Sequence, residues 1–322
     1  MLRSFWTQYF PPPPVFTEKD MPSQVGRVFI VTGGNQGLGL ELIKLLYPTG
    51  ATIYLASRSQ ERAELAIQSV VSAPAAPATP GVLKYLHLDL NDLTTVKASA
   101  AAFAAQESRL DILWNNAGIG GSPVGTSTAQ FLEGHIGINC VAPLLFTQQL
   151  VSHLRAAAAD ASPNSVRIVW TASLSVETHS PAGGVDFGLI DGGATQNPPR
   201  DYAASKAGNF FLAVEGARRY GGDGIVSVAQ NPGQLDTDVW RHQSALLMMF
   251  VRPTLHDKKL GAYTMLYAGF SPDVTVEQNG AYVMPWGRIM ERNPRKDILA
   301  AIEEGKATRF WEWCEEKWKP YA

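Results

Sequence analysis

Cysteine is nearly absent from this 322-residue chain: Cys140 and Cys314 are too few for a disulfide framework or a cysteine-based zinc site. Both read as small buried apolar residues of a protein kept in a reducing compartment. Neither sign of charge is in excess, since 27 Lys and Arg against 29 Asp and Glu leave a net −2. That balance gives no reason to expect nucleic acid or an anionic membrane surface as a partner. The chain has no run of about 18 apolar residues to span a bilayer. Its best candidate, 245–251, is far too short to cross. The first 16 residues lack the apolar core of a secretory signal, so the expected location is cytoplasmic. Charged residues make up 17%, against the ~25% usual for soluble proteins, and Ala, Gly, Pro, Ser and Thr fill the gap.

What is present is an alternation. Short β-branched runs at 27–32, 51–56, 83–88, 111–115, 166–171 and 226–230 read as buried strands. Between them, 38–47, 60–72, 94–106, 202–220 and part of 131–158 carry apolar residues at helical spacing. Strands alternating with helices of this length mean right-handed βαβ units and one parallel sheet, an α/β Rossmann-type doubly wound fold. Residues 281–285 would add a last strand. Residues 1–24, with prolines at 11–14, form an irregular arm, since consecutive prolines forbid helix and ladder. Residues 25–290 make up the nucleotide-binding domain, and 291–322 a C-terminal helical extension. Trp311, Trp313 and Trp318 would pin that extension to the body, and Trp114 belongs to the core.

The turn Thr32-Gly33-Gly34-Asn35-Gln36-Gly37-Leu38-Gly39 lies between the first strand and the first helix. Glycines let a pyrophosphate approach the backbone, and the N–H groups of a helix start favour an anion. A tight turn alone would also use glycine, but the strand–turn–helix setting points to a dinucleotide. There is no Gly-Lys-Ser/Thr ending of a nucleoside-triphosphatase loop. The second strand ends in Ala56-Ser57-Arg58-Ser59, without the carboxylate that an NAD site places on the ribose. Arg58 can pair with a 2′-phosphate, so NADP(H) is favoured over NAD(H); otherwise it is a solvated loop arginine.

Further polar groups fall where later strands end, the place where open α/β sheets bind ligands. They are Asn115-Asn116-Ala117-Gly118, Ser173, Pro232-Gly233, and the Tyr202-Ala-Ala-Ser-Lys206 run, whose Tyr and Lys share one helical face. Tyr-x-x-x-Lys alone is a weak signal; its conjunction with the glycine-rich turn and the paired asparagines is a strong one.

On these motifs, together with Asn139 and Pro-Gly-x-x-x-Thr at 232–237, the sequence resembles the short-chain dehydrogenase/reductase family over about residues 24–290. It is most similar to the NADP-dependent retinol-dehydrogenase-like branch, and the arm and Trp-rich tail resemble fungal members associated with secondary metabolism. The resemblance implies that Tyr202 is the general acid of carbonyl reduction. Lys206 would lower its pKa and hydrogen-bond the nicotinamide ribose, and Ser173 would orient the carbonyl. Asn139 would help hold a water linking the lysine to solvent. It further implies cofactor contacts from Thr32, Gly33, Asn35, Gln36, Gly37, Leu38, Gly39, Ser57 and Arg58. Asp89, Leu90, Asn116, Ala117, Gly118, Pro232, Gly233 and Thr237 complete that set, with Tyr202 and Lys206. A metal is not expected. Ser175 competes with Ser173, and Asn139 could be a structural amide.

Two segments depart from the common pattern. Twenty-eight residues separate Ser173 from Tyr202, and 183–199 is expected as an inserted loop over the site, either substrate wall or surface excursion. Residues 236–261 fall where the family builds its substrate lid and carry Trp240, Leu246 and Met249. An apolar, Met-containing lid suits a lipophilic carbonyl or alcohol; a subunit interface or shallow membrane contact would use the same residues. The expected function is NADP(H)-dependent interconversion of a ketone or aldehyde and an alcohol on a lipophilic small molecule. The alternatives are a cofactor-binding sensor and a non-redox cyclase or isomerase. Family members often pair as homo-oligomers through the helices here at 131–158 and 202–220.

Overall fold

The computed structural model describes residues 7–74, 77–236, 252–289 and 295–322. Eight strands form one sheet: β1 (Val28–Thr32), β2 (Thr52–Ser57), β3 (Val82–His87), β4 (Ile112–Asn115), β5 (Val166–Thr171), β6 (Ile225–Gln230), β7 (Tyr282–Met284) and β8 (Arg288–Ile289). Their order is β3-β2-β1-β4-β5-β6-β7-β8. All neighbours run parallel except β7 and β8. The strand order reverses between β1 and β4, where connections leave the sheet toward opposite faces and open a crevice at the carboxyl ends.

Both faces are covered. Successive strand residues point to opposite sides, so Val28 and Ile30 join one core and Phe29 and Val31 the other. The first core takes α3 (Leu93–Ala104), α4 (Ala142–Asp160), α5 (Pro198–Tyr220), α7 (Lys296–Glu303) and α8 (Lys306–Trp318). The second takes α1 (Gly37–Leu46), α2 (Gln60–Val71) and α6 (Lys258–Phe270). Burial on two sides explains why the strands read as continuous apolar runs rather than alternating ones. Trp114 is fully buried and donates to the Met265 carbonyl at 3.1 Å.

Three helices differ from the sequence reading. The helix expected within 131–158 begins at Ala142, because a π-helical turn, Gly137–Val141, precedes it. The helix expected from 202 begins at Pro198, where proline fits the first turn and Asn197 caps it by accepting from the Arg200 amide. The tail is two helices, broken at Gly305 in the left-handed region (φ 83°). Trp311 is fully buried there, Trp313 nearly so, and Trp318 packs partly buried against the same core.

The segment ahead of β1 lies against the body. Residues 7–9 are helical and Glu18–Asp20 forms a 3-10 turn. Phe16 is buried edge-on against Tyr267.

Candidate active site

A cavity of about 760 Å³ runs across the carboxyl ends of the strands. Near its middle it is lined by Gly33, Asn35 and Gln36, in the turn between β1 and α1, and by Gly37 and Leu38, which open α1. Gly33 (φ 68°) and Gly37 (φ 55°) adopt backbone conformations that side chains resist. Gln36, the residue ahead of α1, makes no side-chain cap, so the first N–H groups of that helix are left for a ligand. Gly39 does not line the cavity: it lets α1 close on the turn, since a Cβ there would stand 2.5 Å from the Gly33 carbonyl oxygen.

Thr32 also lies outside the lining and stitches β1 to β4. Its Oγ1 accepts from the Asn116 and Ala117 amides, both at 2.9 Å, and donates to the Trp114 carbonyl at 3.2 Å. Asn116 Nδ2 returns a bond to the Thr32 carbonyl at 2.8 Å. The glycine-rich turn and the Asn-Asn-Ala-Gly run therefore hold each other in place, leaving Asn116, Ala117 and Gly118 on the cavity wall.

Ser57, Arg58, Asp89 and Leu90 line the far end, beyond β2 and β3. Arg62, on the first turn of α2, joins them and went unnoticed in the sequence, where nothing but its i+4 spacing from Arg58 marked it. Both arginines are exposed, and among the described residues neither has an acidic partner. Two guanidinium groups without an acidic partner at this end favour an anionic ligand group there.

Ser173, Tyr202 and Lys206 line the cavity on the side of β5. The Lys206 ammonium is buried, lies 5.6 Å from the centre of the Tyr202 ring, and donates to the Thr171 carbonyl at 3.0 Å. Burial lowers its pKa to about 8. Burial also raises the Tyr202 phenol, opposed by a hydrogen bond from Ser173 that favours the phenolate. Tyr282 behind Ser173 fixes the end of β5, its hydroxyl donating to the Ser173 carbonyl at 2.8 Å. Ser175 is in the same cavity, and its amide donates to Ser173 Oγ at 3.2 Å.

Asn139 is off the lining, in the π turn. Both N–H groups of its amide are engaged, Nδ2 donating to the Ile119 carbonyl at 3.0 Å and Ser205 Oγ at 2.9 Å, and Oδ1 accepts from the Ile119 amide at 2.8 Å. It thus joins the loop after β4 to α5. Gly118 must be glycine beside it, since a Cβ would meet Asn139 Oδ1 at 2.9 Å.

Pro232 and Gly233 line the cavity after β6, with Gln234 and Leu235. Thr237, Trp240, Leu246 and Met249, and most of the expected lid at 236–261, lie outside the described residues. The loop 183–199 does not wall the cavity. It packs outward on the tail, with Asp191 accepting from Trp313 Nε1 at 3.0 Å and the Gly183 amide donating to Asp297 at 2.8 Å. Sequence reading also missed Tyr9, which lines the cavity from the N-terminal arm, and a buried Glu133–His135 pair (2.8 Å) whose imidazole packs edge-on against Tyr202 at 5.9 Å.

This fold and this set of motifs define a class: the chain belongs to the short-chain dehydrogenase/reductase family. The family model described as short chain dehydrogenase matches residues 27–185. Among particular relatives, short-chain dehydrogenase/reductase iacJ of Pestalotiopsis fici is 56% identical over 323 residues, covering 99% of each chain. Solved structures share the fold. An NADPH-bound carbonyl reductase from chicken fatty liver aligns at TM-score 0.62 and 22% identity, over 84% of this chain and 99% of that one. A 3-oxoacyl-[acyl-carrier protein] reductase from Brucella melitensis in complex with NAD aligns at 0.60 and 22%, over 81% and 96%. Among the described residues no helix is long and apolar enough to cross a membrane, and no cluster of ligating side chains could hold a metal ion.

Proposed function

We propose that the protein is an NADP(H)-dependent oxidoreductase that interconverts a ketone or aldehyde and an alcohol on a lipophilic small molecule, of the kind made in fungal secondary metabolism. The observation that carries this reading is the placing of Ser173, Tyr202 and Lys206 on one wall of a cavity that also takes in an uncapped helix start. The open N–H groups of α1 and the turn at Gly33 and Gly37 fit a pyrophosphate, and the unpaired Arg58 and Arg62 fit a 2′-phosphate. When bound, the cofactor supplies hydride to the carbonyl carbon. Tyr202 gives its phenolic proton to the carbonyl oxygen, and Ser173 donates a hydrogen bond that orients that oxygen. Lys206, cationic below about pH 8, favours the phenolate that remains. Asn139 holds the loop after β4 against α5, and its Oδ1 and Lys206 Nζ both face Gly118, a placing that fits a water between the lysine and solvent.

The test is a titration with NADPH and NADH, read by quenching of the eight tryptophans, followed by a screen of lipophilic ketones for NADPH oxidation. NADPH is expected to bind more tightly, and Arg58→Ala to weaken it about tenfold while leaving NADH unchanged, the size of one charge-assisted contact. Tyr202→Phe is expected to retain NADPH binding and lose at least about 100-fold in turnover. Equal binding of both cofactors would remove the NADP(H) assignment, and undiminished turnover in Tyr202→Phe would remove the role given to the phenol.

A further inference from the structure

We propose that the N-terminal arm is a wall of the substrate site and that Tyr9 is a specificity-determining residue, selecting carbonyl compounds with a flat, apolar body. The proposal rests on the reductase reading for the word substrate, but its geometry stands apart from it. Tyr9 is half-buried and lines the same cavity as Ser173 and Tyr202. Its neighbours place it at one end. The Tyr9 hydroxyl is hydrogen-bonded to Gln234, and its carbonyl lies 2.8 Å from His256 Nε2. Gln234 follows β6, whereas Ser57, Arg58 and Asp89 follow β2 and β3 on the opposite side of the β1–β4 crossover. The arm therefore stands away from Arg58 and Asp89, on the β5–β6 side of the cavity that also carries Ser173. Ile119, Leu174 and Leu235 supply apolar surface in the same cavity.

The arm is fixed there by buried polar pairs rather than by loose contact. Gln8 is 1% exposed and spends both ends of its amide. Nε2 donates to Glu177 Oε1 at 2.7 Å, and Oε1 accepts from Asn231 Nδ2 at 2.9 Å. Asn231 in turn accepts from the Gly233 amide at 3.0 Å. Arg288 donates to the Thr7 carbonyl at 2.6 Å. Removing one partner of a buried pair leaves the other unsatisfied, which costs more than the bond itself is worth. So Gln8 and Tyr9 are bound to the segments that follow β5 and β6, Thr7 is bound to β8, and Tyr9, between Gln8 and Phe10, is turned into the cavity. An aromatic ring with a hydroxyl rim, held from behind, offers a rigid face to a planar ligand at little entropic cost.

The experiment uses the full chain loaded with NADP+, so that no turnover occurs, and the fluorescent flat ketone 6-methoxy-2-acetonaphthone, followed by anisotropy. Wild type is expected to bind it, Tyr9→Ala to raise its Kd at least tenfold, and Tyr9→Leu, which keeps bulk but not the ring, to fall between. Gln8→Ala, which frees the arm, should reproduce much of the loss. The NADP+ Kd should stay within twofold in all three. Equal ketone affinity in wild type and both Tyr9 variants, or no binding by wild type, overturns the proposal. A tenfold loss of NADP+ affinity also overturns it, by placing Tyr9 on the cofactor. Failure of the reductase reading has a different signature: the ketone binds but is not reduced when NADPH replaces NADP+.

Discussion

Lys206 shows at the scale of one residue how a site is set against stability. Its ammonium is buried with one protein acceptor among the described residues, the Thr171 carbonyl, which Asn209 also satisfies at 2.9 Å. The folded pKa of about 8 lies below the ordinary 10.5, so between these values the unfolded chain binds more protons than the native one. The folded protein therefore carries the full penalty below about pH 8 and is relieved of it as pH rises toward 10.5. One pKa unit is about 1.4 kcal/mol, so the penalty is on the order of 3 kcal/mol before the lost bond to Thr171 is subtracted. Lys206→Met should accordingly raise the Tm of the cofactor-free protein at pH 7 while abolishing turnover, and the gap in Tm should shrink by pH 9.5. A variant less stable than wild type at pH 7, or a gap that widens with pH, would refute this account. The residues of the site were legible unevenly for a related reason. Gly33, Gly37, Tyr202 and Lys206 stand at fixed spacings from a strand or within one helix, which sequence shows. Tyr9, Arg62 and His135 reach the candidate site through packing, and apart from the i+4 spacing of Arg62 from Arg58 no local pattern marks them.

Elements were legible wherever one physical signal governed them. The parallel strands, buried on both faces, fell within a residue or two of their apolar runs, and the order of βα units fixed the fold class. Departures came where a second rule competed. Apolar content alone did not show the widened turn at Gly137–Val141, which lets Asn139 reach the loop after β4. Pro198 and Pro199, which fall within the loop expected at 183–199, are helix-starting residues behind an Asn cap. The glycine turn offers a test at this scale. Because Gly39 lets α1 close on the turn after β1, Gly39→Ala places a methyl against the Gly33 main chain, which cannot yield as a side chain would. The helix must then tilt away from the turn, and NADPH Kd should rise at least tenfold while the far-UV circular dichroism is unchanged. Retained affinity would mean that α1 tolerates the shift and that its closeness is not what positions the phosphates.

For the whole molecule, the tail changes what the scaffold exposes. In the pattern that the family resemblance brings with it, two copies meet through the helices corresponding to α4 and α5. Here α5 and the Gln148 side of α4 are already covered by the chain itself, while Ser152, Arg155, Ala156 and Ala159 of α4 stay exposed. Phe310 packs against Gly208 of α5 so closely that a Cβ there would lie 2.7 Å from the ring, and Trp313 stacks on Phe310 at 6.0 Å. Thr308 donates to Glu215 of α5 at 2.9 Å, and Gln148 of α4 donates to Glu315 at 3.2 Å. Trp311 is fully buried, with Arg219 of α5 over its ring at 4.9 Å. Pairing through α4 and α5 would have to displace this layer, and removing even one large buried aromatic costs ~3–5 kcal/mol. The full chain is therefore expected to scatter light as a 34.9 kDa monomer at micromolar concentration. Trp311→Ala should lose stability of that order and shift toward larger species as the layer loosens. A wild-type mass twice the monomer, unchanged by Trp311→Ala, would place the contact elsewhere on the surface and end the argument that the tail stands in for a second copy.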